Sequence, residues 1–89
     1  MEVEFDPEKE IANRDRHEIS LARAFDFDFD SALVKIDDRR DYGEDRYQAV
    51  GFIGERLHVL VFTLRGITLR AISLRKANKR EQKRYAEES

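Results

Sequence analysis

From Leu57 the chain reads LHVLVF, then Thr63-Leu64 and Arg65-Gly66, and then ITLRAISLRKA from Ile67 to Ala77, apolar runs punctuated by single cations. Two strands joined at a tight Arg65-Gly66 turn account for this pattern, with β-branched and aromatic residues filling the runs and a glycine supplying the backbone freedom of the turn. The same stretch holds Arg65, Arg70, Arg75 and Lys76. A guanidinium meets two phosphate oxygens at once and keeps its charge at any working pH, so such a strand can grip phosphate. Equally, these arginines can be the solvated outer side of a hairpin. Spacing alone leaves both readings open.

The register depends on the turn. With Arg65-Gly66 as a two-residue turn, Val61 opposes Arg70, Val59 opposes Ile72 and His58 opposes Ser73. Arg70 then shares a face with Val59, Val61, Ile72 and Leu74, while Arg75 and His58 lie on the other. A one-residue slip reverses these assignments.

Working outward, Tyr47–Ile53 and a segment at about Ala32–Ile36 read as further strands. Tyr47–Ile53, Leu57–Leu64 and Ile67–Leu74 form an antiparallel meander joined at Gly54-Glu55-Arg56 and Arg65-Gly66. The charged stretch Asp37 to Asp45, with Gly43, reads as a turn or loop. Upstream, Glu2–Phe5 is a short strand. Asp6 caps a helix from Pro7 to His17, with Pro7 pre-set for its first position and Glu8 and Glu10 suited to its positive end. The apolar content of that helix is thin, Ile11 and Ala12. Ser20 caps a second helix with Leu21, Ala24 and Phe25 on one face, and the residues from Asp26 to Asp30 form an exit loop. At the other end, Asn78 to Glu81 has the form of a capping box and opens a last helix to about Glu87. That helix has almost no apolar face beyond Tyr85 and Ala86, so its own domain holds it weakly.

The chain has 89 residues, 40% of them apolar, which suits one domain with a modest core. No run approaches the roughly 18 apolar residues of a membrane span, and the acidic start MEVEFDPEKE is unlike a signal peptide. The absence of cysteine excludes disulfides and thiolate metal sites and suits a reducing cytosol. Net charge is −2, but residues 1–45 carry a balance of −8 and residues 46–89 a balance of +6. One end therefore suits a polyanion, for local and oriented contact rather than sliding along a backbone.

Several chemistries are excluded. Only His17 and His58 are available as imidazole ligands, far apart in sequence, so no metal or other cofactor is expected. Asp26-x-Asp28-x-Asp30 resembles the start of a calcium loop, yet Ser31 replaces its glycine and Asp37 its bidentate glutamate, so these aspartates read as loop and cap residues. No serine stands on a glycine-flanked elbow, and no glycine-rich loop cradles phosphate. What remains is acid–base chemistry with electrostatic stabilisation. Cleavage of RNA by its own 2′-hydroxyl needs a base, an acid and cations on the developing phosphorane. Arg70, Arg75 and Lys76 can be the cations. His17, Glu44, Lys9 and Tyr85 can handle protons where the fold brings them near, although His17 also suits a helix cap and Tyr85 the anchor of its polar helix.

One family shares most of these residues in order. Val3-Glu4-Phe5-Asp6-Pro7-Glu8-Lys9 is followed by Asn13 and by Arg16-His17. Next come Glu44-Asp45-Arg46-Tyr47 and Gly51. The series closes with Arg65-Gly66, Arg70-Ala71-Ile72-Ser73-Leu74-Arg75-Lys76-Ala77, Arg80-Glu81 and Tyr85. In this the chain resembles the BrnT family of bacterial toxins, the toxin half of a type II toxin–antitoxin pair. Val3 and Phe5 depart from the family's usual aromatic and Trp, and Glu18 stands where a Gly commonly follows the His.

The resemblance implies an α+β, RelE-like fold: two N-terminal helices packed on a small antiparallel sheet, then a C-terminal helix. It also implies a cytoplasmic, metal-independent ribonuclease that arrests translation. Arg70 and Arg75 would stabilise the scissile phosphate, and His17 or Lys9 would assist proton transfer, with Tyr85 a further catalytic candidate. Arg46, Arg65, Lys76 and Arg80 would bind RNA. The implied partner is a ribbon-helix-helix antitoxin of the BrnA kind, through which alone the chain would reach promoter DNA, and a homodimer is compatible. The alternative is a non-catalytic module that pairs with its antitoxin in autoregulation.

Overall fold

The computed structural model describes residues 1–37 and 43–89. The expected loop from Asp37 to Asp45 thus lies, for residues 38–42, outside the described residues. The fold is α+β. Among the described residues five strands form one sheet in the order β1-β5-β4-β3-β2: β1 Glu2–Glu4, β2 Leu33–Ile36, β3 Tyr47–Ile53, β4 Arg56–Arg65 and β5 Thr68–Lys76. The expectation of a purely antiparallel sheet is corrected, because β1 runs parallel to β5. No turn joins those two strands; residues 5–67 lie between them, so sequence adjacency carries no sign of the pairing.

Helix α1 spans Pro7–His17 as expected, with the Asp6 carboxylate accepting from the Glu8 N–H at 2.8 Å and proline in the first turn. It ends on Glu18 in the left-handed region, φ 59°. The second expected helix, Leu21–Asp26, is a 3₁₀ helix capped by Ser20. Helix α2 spans Lys79–Glu88 and carries the full capping box between Asn78 and Glu81. No helix among the described residues is long and apolar enough to cross a membrane.

The sheet has a dry face and a mixed one. On the first face Leu21 and Ala24 of the 3₁₀ helix pack with Phe27, Leu60, Phe62, Leu69 and Leu74. Phe25, expected to share the buried side of the 3₁₀ helix, is 72% exposed, and Phe27 and Phe29 from the expected exit loop enter the core instead. A Cβ on Gly51 would stand only 2.7 Å from the Phe27 ring, so that close approach requires glycine. Ile11, the expected apolar contact of α1, is also exposed. What α1 buries is Asn13. Its amide N–H groups donate to the Leu74 and Ile19 carbonyls, both at 2.9 Å, and its oxygen accepts from the Leu74 N–H at 3.0 Å. Because β1 pairs with β5 only as far as Arg70, the Asn13 amide completes the bare edge of β5 where the strand partner has ended.

The register of β4 and β5 places a site that sequence reasoning separated. The turn is Gly66-Ile67, not Arg65-Gly66, so Arg65 pairs with Thr68 and Thr63 with Arg70. Beyond Phe62–Ala71 the next pair is Val61–Ser73, leaving Ile72 as an extra residue on β5. This bulge reverses the alternation. Arg70 shares a face with Val61 and Val59 as expected, but Leu74 turns to the dry core and Arg75, paired with Val59, joins Arg70. His58, paired with Lys76, lies on the first face, and the expected grouping of Arg75 with His58 is thereby corrected.

Candidate functional site

The second face changes character from one end to the other. At one end Leu57, Val59 and Ala77 are buried beneath α2, with Val50, Phe52 and Tyr85 packed against them. Tyr85 sets its ring edge-on to Phe52, centroids 5.5 Å apart, and its hydroxyl donates to the Ser31 carbonyl at 2.7 Å. Its hydroxyl is therefore engaged, and the residue is the anchor of its helix.

At the other end a polar row crosses the sheet. Glu4 of β1 is registered with Arg70 of β5, and Arg70 with Thr63 of β4. Tyr47 pairs with Phe62, so Arg46, one residue earlier, stands beside Thr63. The ladder continues there, since the Asp37 N–H donates to the Arg46 carbonyl at 2.6 Å. The order across the sheet is Glu4, Arg70, Thr63, Arg46, Asp37, with a carboxylate at each end, an arginine inside each and a threonine at the centre. Neighbouring strands lie about 4.8 Å apart, which sets the two arginine backbones roughly 10 Å from each other. Arg70 reaches outward to Glu4 at 3.3 Å. Thr63 is only 2% exposed, and among the described residues its hydroxyl has no hydrogen-bond partner.

Arg75 lies farther along β5 on the same face. Its two terminal nitrogens meet the two oxygens of Glu81 on α2, each at 2.8 Å, a fork-to-fork pair. The Arg75 hydrogen bond holds the Glu81 carboxyl below its ordinary pKa, against a smaller opposing effect of burial. His17 ends α1 within reach of the charge of Arg75. Partial burial, with the positive charges of Arg16 and Arg75, lowers its pKa and favours the neutral imidazole at neutral pH. His58 is lowered too, chiefly by burial, and its Nδ1 lies 2.8 Å from the Arg56 carbonyl. With its ring enclosed on the dry side, His58 is a core residue.

The fold thus brings Arg46, Arg70, Arg75 and Tyr85 to one face, with His17 at its edge. It does not bring the others with them. Lys9 is exposed on α1, Lys76 pairs with His58 on the opposite side, and Arg80 is exposed on the first turn of α2. Arg65 does share the face of Thr63 and Arg70 by register, but it stands exposed at the end of β4, 3.4 Å from Glu44. Sequence reading missed Thr63 and Glu81 as parts of the site. A threonine in a β-run carries no mark of its own, whereas Glu81 was visible as a capping residue whose carboxylate has oxygen to spare. Asp28 accepts from the Asp30 N–H and the Ser31 hydroxyl, a loop role. Among the described residues no three His, Asp or Glu side chains are grouped to hold a metal ion.

Beside α2 a groove of about 420 Å³ is bounded by Leu33, Lys35, Gln48, Val50, Arg84 and Tyr85. The arginines of the polar row lie outside it. A family model described as the ribonuclease toxin BrnT of type II toxin–antitoxin systems matches residues 5–81. No curated protein matches the chain.

Proposed function

The chain belongs to the family of BrnT ribonuclease toxins of type II toxin–antitoxin systems, and on that premise we propose that it is a metal-independent endoribonuclease acting in the cytoplasm to arrest translation. The observation that carries the reading is the alignment of Arg46, Arg70 and Arg75 on one face of the sheet, with a largely neutral His17 at its edge. An RNA strand laid across that face meets guanidinium groups at its phosphates and a base within reach of a 2′-hydroxyl. The imidazole of His17 takes the 2′ proton as the 2′ oxygen bonds to phosphorus. Arg70 and Arg75 stabilise the added charge of the phosphorane, the P–O5′ bond breaks, and a proton returned to O5′ completes the exchange. The products are a 2′,3′-cyclic phosphate and a free 5′-hydroxyl. Lys9 and Tyr85 are the weaker candidates for the returned proton, the one by its exposure and the other by its bond to Ser31.

The wider reading is that of a RelE-like toxin neutralised by a ribbon-helix-helix antitoxin, through which it reaches the shared promoter. RNA should be cut in EDTA with cyclic ends, and Arg75→Ala should cut it at least a hundredfold more slowly, in line with the loss of a transition-state charge contact (roughly 3 kcal/mol). Cleavage by Arg75→Ala at the parent rate would remove Arg75 from the mechanism. A second reading is favoured by a specific observation: both Arg70 and Arg75 are already paired with carboxylates of the chain. A non-catalytic partner of the antitoxin would need no more than this. Induced expression separates the two, since a ribonuclease arrests growth and a binding module does not.

A further inference from the structure

A buried hydroxyl without a partner is a cost to the fold. Removing such a group from water without compensation is unfavourable, and native structures seldom tolerate it away from a functional purpose. Thr63 is such a case on the central strand, 2% exposed, its Oγ1 without a partner among the described residues, next to Phe62, whose ring is committed to the core. A valine at that position would serve β4 better by every criterion of burial. What distinguishes the position is its place midway between Arg46 and Arg70 on the polar row.

We infer that Thr63 is the floor of a phosphate seat, its hydroxyl donating to a phosphate oxygen while Arg70 and Arg46 close on the same group from either side. The inference deepens the ribonuclease reading and rests on it for the identity of the ligand as an RNA phosphate. Three features of the row support it. The arginine backbones are about 10 Å apart, a span that two long side chains bridge by leaning inward. Arg70 is held outward by a single contact to Glu4, whose side chain is 44% exposed, a pair weak enough for a phosphate to displace. And the donors are of two kinds, charged forks at the sides and a neutral hydroxyl below, the combination that fixes both the charge and the position of a phosphate. Thr63 is a positioning and binding residue in this scheme, and no proton transfer is assigned to it.

Thr63→Val keeps the shape and removes the hydroxyl; Thr63→Ser restores it. The measurements are thermal stability, affinity for a short 2′-O-methyl RNA that cannot be cleaved, and cleavage of the matching unmodified RNA. Thr63→Val should melt several degrees higher, lose roughly tenfold or more in affinity and in cleavage rate, and Thr63→Ser should recover both functions. Equal RNA affinity in Thr63→Val and the parent overturns the seat, leaving only a tolerated buried hydroxyl. A lower melting temperature for Thr63→Val overturns it as well, since the hydroxyl would then serve the fold. If the parent binds the 2′-O-methyl RNA but cuts nothing, and Thr63→Val binds more weakly, the seat stands and the nuclease reading fails. If the parent does neither, both fail together.

Discussion

Helices α1 and α2 are alike in composition and opposite in attachment. Neither offers the apolar stripe by which a surface helix is normally held: α1 buries only Asn13 and α2 buries nothing. Yet α1 is fastened by a neutral amide making three bonds to backbone groups, two of them on Leu74, 61 residues away in sequence. Helix α2 is fastened by an ionic fork, Arg75–Glu81, and by one tyrosine. A neutral amide in a buried slot is indifferent to salt and pH. A partly exposed ion pair answers to both, and to any anion that competes for the same guanidinium. The helix near the proposed RNA-binding face is the one whose hold can be adjusted.

The contrast is broken most severely at Asn13. Asn13→Ala removes all three bonds and strands the N–H and carbonyl of Leu74 at the sheet edge. We expect a loss of about 3 kcal/mol, seen as a fall in melting temperature on the order of 12 °C or more. A loss below 1 kcal/mol would mean that water replaces the amide and that α1 is held elsewhere.

Asn13 also marks how far the sequence could be read. The bounds of α1 and β3 follow from local chemistry, Asp6-Pro7 at the start of the one and alternation between turn residues in the other, and local chemistry is what a sequence displays. Asn13 could be noticed only as a motif residue, since its partner Leu74 is distant in the chain. The bulge at Ile72 had no glycine to announce it, and without it Arg75 falls on the wrong face. Phe27 was hidden for another reason: alternation with aspartates imitates an exposed loop, while its ring lies over Gly51 across the core. The cationic residues of the site were therefore legible, but their grouping was not. Thr63 needed the register of three strands before it meant anything.

At the second helix the largest effect belongs to Tyr85. Tyr85→Ala loses the edge-on contact with Phe52 and the bond to Ser31, together about 2 kcal/mol. Because α2 buries no residue of its own, the loss should show first as faster amide exchange within α2, with α1 unchanged. Equal acceleration in both helices would mean that they melt as one unit.

Glu81→Gln is milder and sharper in meaning. The lost fork should cost about 1 kcal/mol at low salt and less at high salt. Its pH dependence has a definite sign. The Glu81 pKa is lowered in the folded state from its ordinary 4.5, so the contribution is complete above that value and disappears as pH falls through the folded value. The difference in stability between parent and Glu81→Gln should accordingly shrink below pH 4.5, whereas the Asn13→Ala difference should hold across the same range. Affinity for 2′-O-methyl RNA should rise in Glu81→Gln, because a carboxylate competing with phosphate for Arg75 has gone.

The smallest effect is a gain, at the far end of α1. Glu18 adopts φ 59° to let its N–H reach the Arg14 carbonyl at 2.9 Å. A side chain in that region crowds the following carbonyl, at about 1 kcal/mol, which glycine avoids while giving up some unfolded-state entropy. Glu18→Gly should therefore stabilise the protein by roughly 0.5 kcal/mol, measurable as a higher urea midpoint at unchanged slope. The exchange also removes a negative charge next to His17. With that charge gone the imidazole should titrate slightly lower still, and the acid limb of RNA cleavage should move to lower pH. A shift in the opposite direction would place the catalytic base elsewhere than on the helix that Asn13 holds.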